Sequence, residues 1–278
     1  MTKDEIKQAL ERNKKYWNRR EVTRRNKIIN TSIAVSEREL KKMYRDIAKD
    51  VIAQMENALL KMKEGKSVSH IFSYRDYYET LQEIERKLKD LGDREYKIIN
   101  KGMTDTYKDI QKEVSKTSSI PFRSSKMNSQ RINDVINATW CGDGKNWSQR
   151  IWEHQAELGA KLSKGLLDMM EAGITPQNLQ KDLMKTFNAS FGQTARIIRT
   201  EYVHVANEST INRYKDAGIQ KYRFVCSPGA CEICQESADK IFSVEDTEFL
   251  PPLHPNCRCT TLAVFDDDKL NQIKEENQ

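Results

Sequence analysis

The chain has 278 residues, enough for one large domain or two modest domains with cores of their own. Charged residues make up 32% and apolar residues 37%, with 11 Gly and 6 Pro, and this balance is typical of long, solvated helices. No apolar run approaches the length that spans a bilayer, so we expect no membrane insertion. The net charge is +6, and its main concentration lies near the N-terminus.

The segment from Arg12 to Lys27 holds eight bases and one acid, Glu21, and so carries a charge of +7. Tyr16 and Trp17 are interleaved with the bases, a pattern compatible with phosphate contact and stacking. The other interpretation is a solvated face of an amphipathic helix whose aromatic residues dock on a neighbour. Double-stranded DNA and a protein partner therefore both stay open. The eight bases are Arg12, Lys14, Lys15, Arg19, Arg20, Arg24, Arg25 and Lys27.

Two helices are predicted before the first glycine. Residues 3–29 read as a basic helix. Ser36 and Glu39 have the S-x-x-E form of a capping box, which predicts that a second helix starts there and runs to residue 65. Its apolar residues recur at three- and four-residue steps, so one face is expected to be buried.

Two more helices and a linker complete the first region. Apolar residues at helical spacing predict a helix over 74–91 that Gly92 ends, and a fourth helix reaches about residue 114. Residues 119–127 have no period, are rich in Ser and include Pro121, which predicts a linker or hinge.

The second region opens with further helices. Ser148 is a candidate cap for a helix that ends at Ala172. Thr175 and Pro176 have the form of an N-cap followed by proline at the first helical position, and a later helix ends at Gly218.

Beyond Gly218 the sequence pattern changes from helices to short strands that flank loops rich in Cys and His. Residues 221–226, 240–244 and 260–265 are predicted to be strands. The fold class is therefore mainly α, with a long helical N-terminal region and a C-terminal α+β subdomain that carries a Cys/His cluster. The predicted regions are a helical N-terminal part at 1–118, the linker at 119–127, a helical part at 128–220, the β and loop subdomain at 221–265, and an acidic polar tail at 266–278.

Five of the six cysteines and one of the four histidines lie within 34 residues of this subdomain. A CxxC pair, a loop and HPNCRC bring two short ligand pairs together, as in tetrahedral Zn²⁺ sites, since this cation binds thiolate and imidazole. Four ligands suffice, so one or two thiols are spare. The candidate ligands are Cys231, Cys234, His254 and either Cys257 or Cys259, with Cys226 as a further possibility.

Disulfides or reduced, packed thiols are the alternatives to a metal. No signal-peptide pattern opens the chain, so an oxidising compartment is not implied and a structural zinc is favoured. Cys141 stands alone beside Trp140, and we expect it to be a packing residue.

One helix carries the remaining candidates for chemistry. Thr200, His204 and Asn207 share a face by their four- and three-residue steps. A catalytic interpretation takes Glu201 or His204 as a general base beside the zinc, as in a zinc-containing nuclease or DNA-processing enzyme. The structural interpretation, which we favour, has these residues tying the helix to the metal subdomain, because a full Cys-rich shell has no open position for water.

Four blocks lie in order between about residues 130 and 265: TWCGDGKNWSQRIW, RIIRTEYVHVANESTINRYKDAG, CEIC and PPLHPNCRCTT. This series resembles the phage head morphogenesis proteins, the minor head (minor capsid) proteins of the Mu F-like family. Two positions differ from the family pattern. Residues 227–230 replace its Asp-x-Arg-Thr segment, and Asp239 stands where a glycine is usual, although Asp tolerates a left-handed turn better than most residues.

The resemblance implies a non-enzymatic virion component of a tailed bacteriophage, present in few copies in the head interior or at the portal vertex. Such proteins associate with the portal protein, enter the procapsid in the host cytoplasm and assist DNA packaging or delivery. Portal protein, scaffold or major capsid protein, and the genome would then lie within reach of the basic N-terminal helix.

Overall fold

A computed structural model describes residues 3–64, 70–117, 128–172 and 176–264. The predicted linker, the acidic tail and Thr175 lie outside these residues. Helices dominate, and a small antiparallel sheet follows them near the C-terminus, so the predicted fold class is confirmed. In chain order the elements are α1 (Lys3–Glu64), α2 (His70–Thr117), α3 (Ser129–Ile136), α4 (Trp147–Ala172), α5 (Pro176–Asp216), β1 (Lys221–Val225), α6 (Glu232–Glu236), β2 (Ile241–Ser243) and β3 (Thr260–Val264).

The helix α1 is continuous through Ser36, so the predicted capping box does not start a new helix. Ser36 is buried within a stripe that includes Ile29, Ile33 and Leu40, at steps of three and four residues. Because this stripe runs on without a break, burial of the helix face outweighs the local capping signal.

Gly92 likewise does not end a helix, because it lies inside α2. A Cβ atom at this position would come within 2.6 Å of Cζ3 in the indole ring of Trp152. The glycine is therefore a packing position that lets a large aromatic ring from α4 approach the backbone of α2.

The starts and ends of the later helices follow side-chain chemistry. Asn146, rather than the predicted Ser148, caps α4. Its Oδ1 accepts from the backbone N–H of Gln149 at 3.0 Å, while Gln149 Oε1 accepts from the N–H of Asn146 at 2.9 Å. This reciprocal pair is a capping box. At the end of α5, Gly218 has φ of +70°, a left-handed conformation that glycine adopts without strain.

The chain divides into two compact units that differ from the predicted regions. The first comprises Met1–Ala34, Lys101–Ala138 and Ile198–Gln278, and the second comprises Val35–Asn100 and Thr139–Ile197. The long helices α1, α2 and α5 contribute to both units, so a boundary in sequence near residue 118 does not separate them.

The C-terminal sheet has the strand order β2-β1-β3, with both pairings antiparallel. The three predicted strands are confirmed within the described residues. Tyr222 and Phe224 point into the core of the first unit, whereas Lys221 and Arg223 are exposed. This alternation fixes the register of β1, because a slip by one residue would bury the charges.

None of the helices over the described ranges combines the length and apolar character that a bilayer span requires.

Candidate metal centre

The CxxC pair lies on a short helix that follows β1. A turn over residues 227–230, with Gly229 at φ of +75°, leads from the strand to α6. Cys231 occupies the N-cap position of α6, and Cys234 lies inside the helix with its side chain fully buried. One turn of helix therefore points both sulfur atoms to the same side.

A left-handed residue then returns the chain to the sheet. Asp239 has φ of +59°, as its place in the glycine position of the family suggested. Its N–H donates to the carbonyl oxygen of Phe224 at 3.0 Å, and Phe224 N–H donates to the carbonyl oxygen of Lys240 at 2.9 Å. These bonds hold the loop after α6 against β1.

The second ligand pair lies on the loop that precedes β3. The N–H of Cys257 donates to the carbonyl oxygen of His254 at 3.1 Å, which closes a turn. Asn256 within this turn has φ of +62°, a conformation that asparagine tolerates. Cys257 and Cys259 are buried with Phe224 and Cys234 in one small core.

The potential ligand atoms form two triads that share Cys234. The first triad is Cys231, Cys234 and His254, and the second is Cys234, Cys257 and Cys259, each with its ligand atoms within 4.8 Å of one another. Nε2 of His254 lies 3.1 Å from Sγ of Cys231 and 3.3 Å from Sγ of Cys234, and the sulfur atoms of Cys234 and Cys257 are 3.6 Å apart. No disulfide joins any of the six cysteines, all of which lie within the described residues.

These distances suit a tetrahedral metal ion. For Zn–S near 2.3 Å and Zn–N near 2.0 Å, neighbouring ligand atoms lie roughly 3.5–3.8 Å apart. The two contacts of Cys234, at 3.3 Å and 3.6 Å, fall close to that range, and the contact between Cys231 and His254 is shorter at 3.1 Å. The donor set of thiolates and one imidazole is the one that zinc prefers. The Cys/His groups can therefore hold a metal ion.

The imidazole of His254 is oriented for such a role. Nδ1 lies 2.9 Å from the carbonyl oxygen of Pro255, which only accepts, so the proton belongs on Nδ1. Nε2 then carries the lone pair and faces the two sulfur atoms of the CxxC pair. A backbone carbonyl commonly orients metal-binding histidines in this way.

The thiols differ in their readiness to ionise. A hydrogen bond from Cys257 lowers the pKa of Cys259 to about 5, and the same bond raises the pKa of Cys257. Burial raises the pKa of Cys234 to about 12 and also raises that of Cys226, whose thiol donates to the carbonyl oxygen of Cys234 at 3.1 Å. Cys226 therefore contacts both the backbone of α6 and the thiol of Cys259 at the edge of the cluster.

Helix α5 holds the ligand loop through two polar residues. The Oγ1 of Thr200 accepts from the N–H of Asn256 at 3.0 Å. Asn207, which is 1% exposed, donates to the carbonyl oxygens of Pro251 at 3.0 Å and Cys259 at 3.1 Å, and its Oδ1 accepts from the hydroxyl of Thr260 at 2.9 Å. The shared face predicted for Thr200 and Asn207 therefore contacts the Cys/His subdomain. Their partners in the loop had no signal in the sequence.

Glu201 and His204 are buried in the same helix, with exposed fractions of 3% and 5%. Burial lowers the pKa of His204 to about 3, so its imidazole is neutral at physiological pH. Neither residue belongs to the two triads of potential ligands found among the described residues. A water molecule or a phosphodiester has little access to side chains buried this deeply.

Four of the predicted basic residues lie on one surface of α1, which we call the basic stripe: Arg19, Arg20, Arg24 and Lys27. At about 100° per residue they span an arc of roughly 140°. Arg24 forms an ion pair with Glu113 at 3.3 Å and remains 43% exposed at its side chain. The side chains of Arg12, Lys14 and Lys15 lie outside the described residues.

Arg25 does not belong to this surface, and its prediction as a nucleic-acid contact is wrong. Its side chain is 1% exposed and forms an ion pair with Glu21 at 3.6 Å. It also donates to the Oγ1 of Thr210 at 3.1 Å and to the carbonyl oxygen of Thr261. Its guanidinium therefore joins α1 to α5 and β3 and cannot reach a phosphate.

Comparison with known families identifies the region that contains this centre. Residues 160–262 match the family model described as Phage Mu protein F like protein. The match covers all of α5 and nearly all of the Cys/His subdomain, and it confirms the resemblance found in the sequence. Residues 160–262 are thus similar to the Mu F-like proteins of phage head morphogenesis. This similarity suggests a head morphogenesis role and a place in the virion. Comparisons with curated proteins and with solved structures gave no match.

Proposed function

We propose that this protein is a minor structural protein of a tailed-phage head that joins the procapsid near the portal and assists DNA packaging or delivery. The observation that carries this proposal is the match over 160–262, because that region includes both the Cys/His centre and the α5 face that holds it. The portal protein is the proposed partner, with scaffold or major capsid protein as further candidates.

Within this role the Cys/His centre is a structural zinc site. The proposed ligands are Cys231, Cys234, His254 and Cys257, because contacts of 3.1 Å, 3.3 Å and 3.6 Å join these four residues in a continuous chain. Three thiolates and one imidazole complete a tetrahedron, which leaves no position for a catalytic water. Zinc supplies cross-linking of the two loops when bound, and Thr200 and Asn207 hold the loop from the helix side.

The basic stripe is the proposed contact for the genome or for an acidic partner surface. Its four bases point away from the buried side of α1, which contains Glu21, Arg25 and Ile29. Such an arrangement binds phosphates without reading the sequence of the bases.

The experiment that tests this proposal is assembly of heads with the wild-type chain and with Glu201→Gln, followed by measurement of incorporation, cross-linking to the portal protein and metal-dependent DNA cleavage. We expect incorporation and portal cross-links with both chains and cleavage with neither. Cleavage by the wild-type protein that disappears in Glu201→Gln, with incorporation unchanged, would replace the structural role by that of a zinc-containing nuclease. Absence of the chain from heads would overturn the virion role.

A further inference from the structure

A fully buried carboxyl group lies where the four helices of the second unit converge. Glu95 of α2 is 0% exposed. Its Oε1 accepts from the hydroxyl of Thr194 on α5 at 2.9 Å, and its Oε2 accepts from Nε2 of Gln155 on α4 at 2.5 Å. The hydroxyl of Tyr44 on α1 also bonds to this carboxyl. One side chain thus links all four helices of the unit.

The groups that surround Glu95 are neutral. They are the amide of Gln155, the hydroxyls of Thr194 and Ser190 on α5, and the phenol of Tyr44, whose pKa is raised by burial and then by the nearby carboxylate. His154 precedes Gln155 on α4, and burial lowers its pKa, so it is neutral near pH 7 as well. Within the described part of the chain, a carboxylate in this position has hydrogen bonds but no cation that offsets its loss of hydration.

Both protonation states of Glu95 can keep their hydrogen bonds. When the carboxyl is ionised, the Tyr44 hydroxyl can donate to it. When it is protonated, the same hydroxyl can accept its proton and donate to Ser190 or Thr194, which lie 3.4 Å and 3.1 Å away. A hydroxyl serves in either role. The two states therefore differ mainly in the free-energy cost of a buried charge, which the ionised state can lower only by letting water approach between the helices.

We propose that Glu95 is a proton-operated joint of the second unit: the neutral carboxyl keeps α1, α2, α4 and α5 tightly packed, and ionisation loosens them. Burial raises the pKa of Glu95 from 4.5 to about 7, although the bonds from Tyr44, Thr194 and Gln155 act in the opposite direction. Between pH 4.5 and about 7, Glu95 therefore keeps its proton in the folded unit and has released it in the unfolded chain. Stability from this group is present below pH 4.5 and is lost as the pH rises through 7.

The test follows unfolding of the full chain with fluorescent probes that lie in this unit. Trp140, Trp147 and Trp152 all lie in it, so a Trp17→Phe background makes tryptophan fluorescence report its unfolding in urea. The variants are Glu95→Gln, Glu85→Gln as an exposed control on the same helix, and His154→Gln as a control for the neighbouring imidazole. From the pKa values of 4.5 and about 7, the unfolding constant should rise roughly 70-fold between pH 5 and pH 8 through Glu95 alone.

We expect this rise in the unfolding constant between pH 5 and pH 8 to be absent in Glu95→Gln and retained in both controls. The same pH dependence in Glu95→Gln and in the parent chain would overturn the proposal. If Glu95→Gln does not fold, carboxyl NMR of the parent chain with ¹³C-labelled glutamate decides instead. A resonance that titrates near pH 7 and persists in Glu208→Gln, the variant at another buried glutamate, supports the joint. The absence of any glutamate resonance titrating above pH 6 refutes it.

Discussion

The side-chain amide of Asn207 on α5 donates to the carbonyl oxygen of Cys259, 3.1 Å away, immediately before β3 begins. With its bonds to Pro251 and Thr260, one buried side chain satisfies three groups of the loop that carries half of the candidate ligands. The position of that loop is therefore set by the helix as well as by any metal.

Replacement of Asn207 by Ala should lower both the stability and the metal affinity of the Cys/His centre, although Asn207 is not itself a ligand. The loss leaves two backbone carbonyls and one hydroxyl without this partner, at a cost of about 1–3 kcal/mol in unfolding free energy, and metal affinity should fall roughly 10–100-fold. Urea unfolding and competition with a zinc indicator measure the two effects. Asn30→Ala, at an exposed position of α1, should change neither. Unchanged metal affinity in Asn207→Ala would show that the loop holds its shape without the helix.

Removal of the shared ligand should be more severe. Cys234 belongs to both triads, so Cys234→Ser should abolish binding of about one zinc per chain and unfold the C-terminal subdomain, because a structural site supplies on the order of 10 kcal/mol. Metal analysis and circular dichroism follow the outcome. The matched control is Cys141→Ser, a lone cysteine in the other unit. A wild-type protein that is folded but contains no zinc would contradict the proposed site.

The fourth ligand can be assigned by a pair of variants. The 3.6 Å contact between the sulfur atoms of Cys234 and Cys257 predicts that Cys257→Ser loses the metal, whereas Cys259→Ser retains it with reduced stability. Cobalt substitution distinguishes the cases, since the thiolate-to-metal absorption reports how many sulfur ligands remain. The reverse result would make Cys259 the ligand and Cys257 the spare thiol.

The strands and the Cys/His centre could be predicted because their signals are local. Two ligands within one turn and alternation over five residues need no knowledge of distant contacts. The continuity of α2 through Gly92 could not be predicted, since it depends on Trp152, sixty residues further along. The burial of Arg25 was missed for the same reason. Its partners Thr210 and Thr261 are 185 and 236 residues away, and a run of bases gives no indication of which one turns inward.

Replacement of Arg25 should therefore affect stability rather than nucleic-acid binding. Arg25→Met leaves Glu21 buried without its cation and should cost roughly 3–5 kcal/mol. Arg24→Met is the matched control, because its ion pair with Glu113 is partly exposed and such pairs contribute about 0–1 kcal/mol. Denaturant unfolding of both variants gives the comparison, and equal losses would mean that burial of Arg25 contributes no special stability.

The basic stripe should determine how DNA binding responds to salt. Each phosphate neutralised adds about 0.9 to the slope of log affinity against log salt, so changing Arg19, Arg20, Arg24 and Lys27 to Gln should flatten that slope by up to about 3–4. Fluorescence anisotropy with a labelled duplex at several salt concentrations measures it. A control chain replaces four exposed bases further along the same helix: Lys41, Lys42, Arg45 and Lys49. Both chains lose four positive charges. A difference between their salt slopes therefore reports the position of the charges rather than the net charge. If the two slopes fall equally, the binding follows overall charge, and a protein surface becomes the better partner for the stripe.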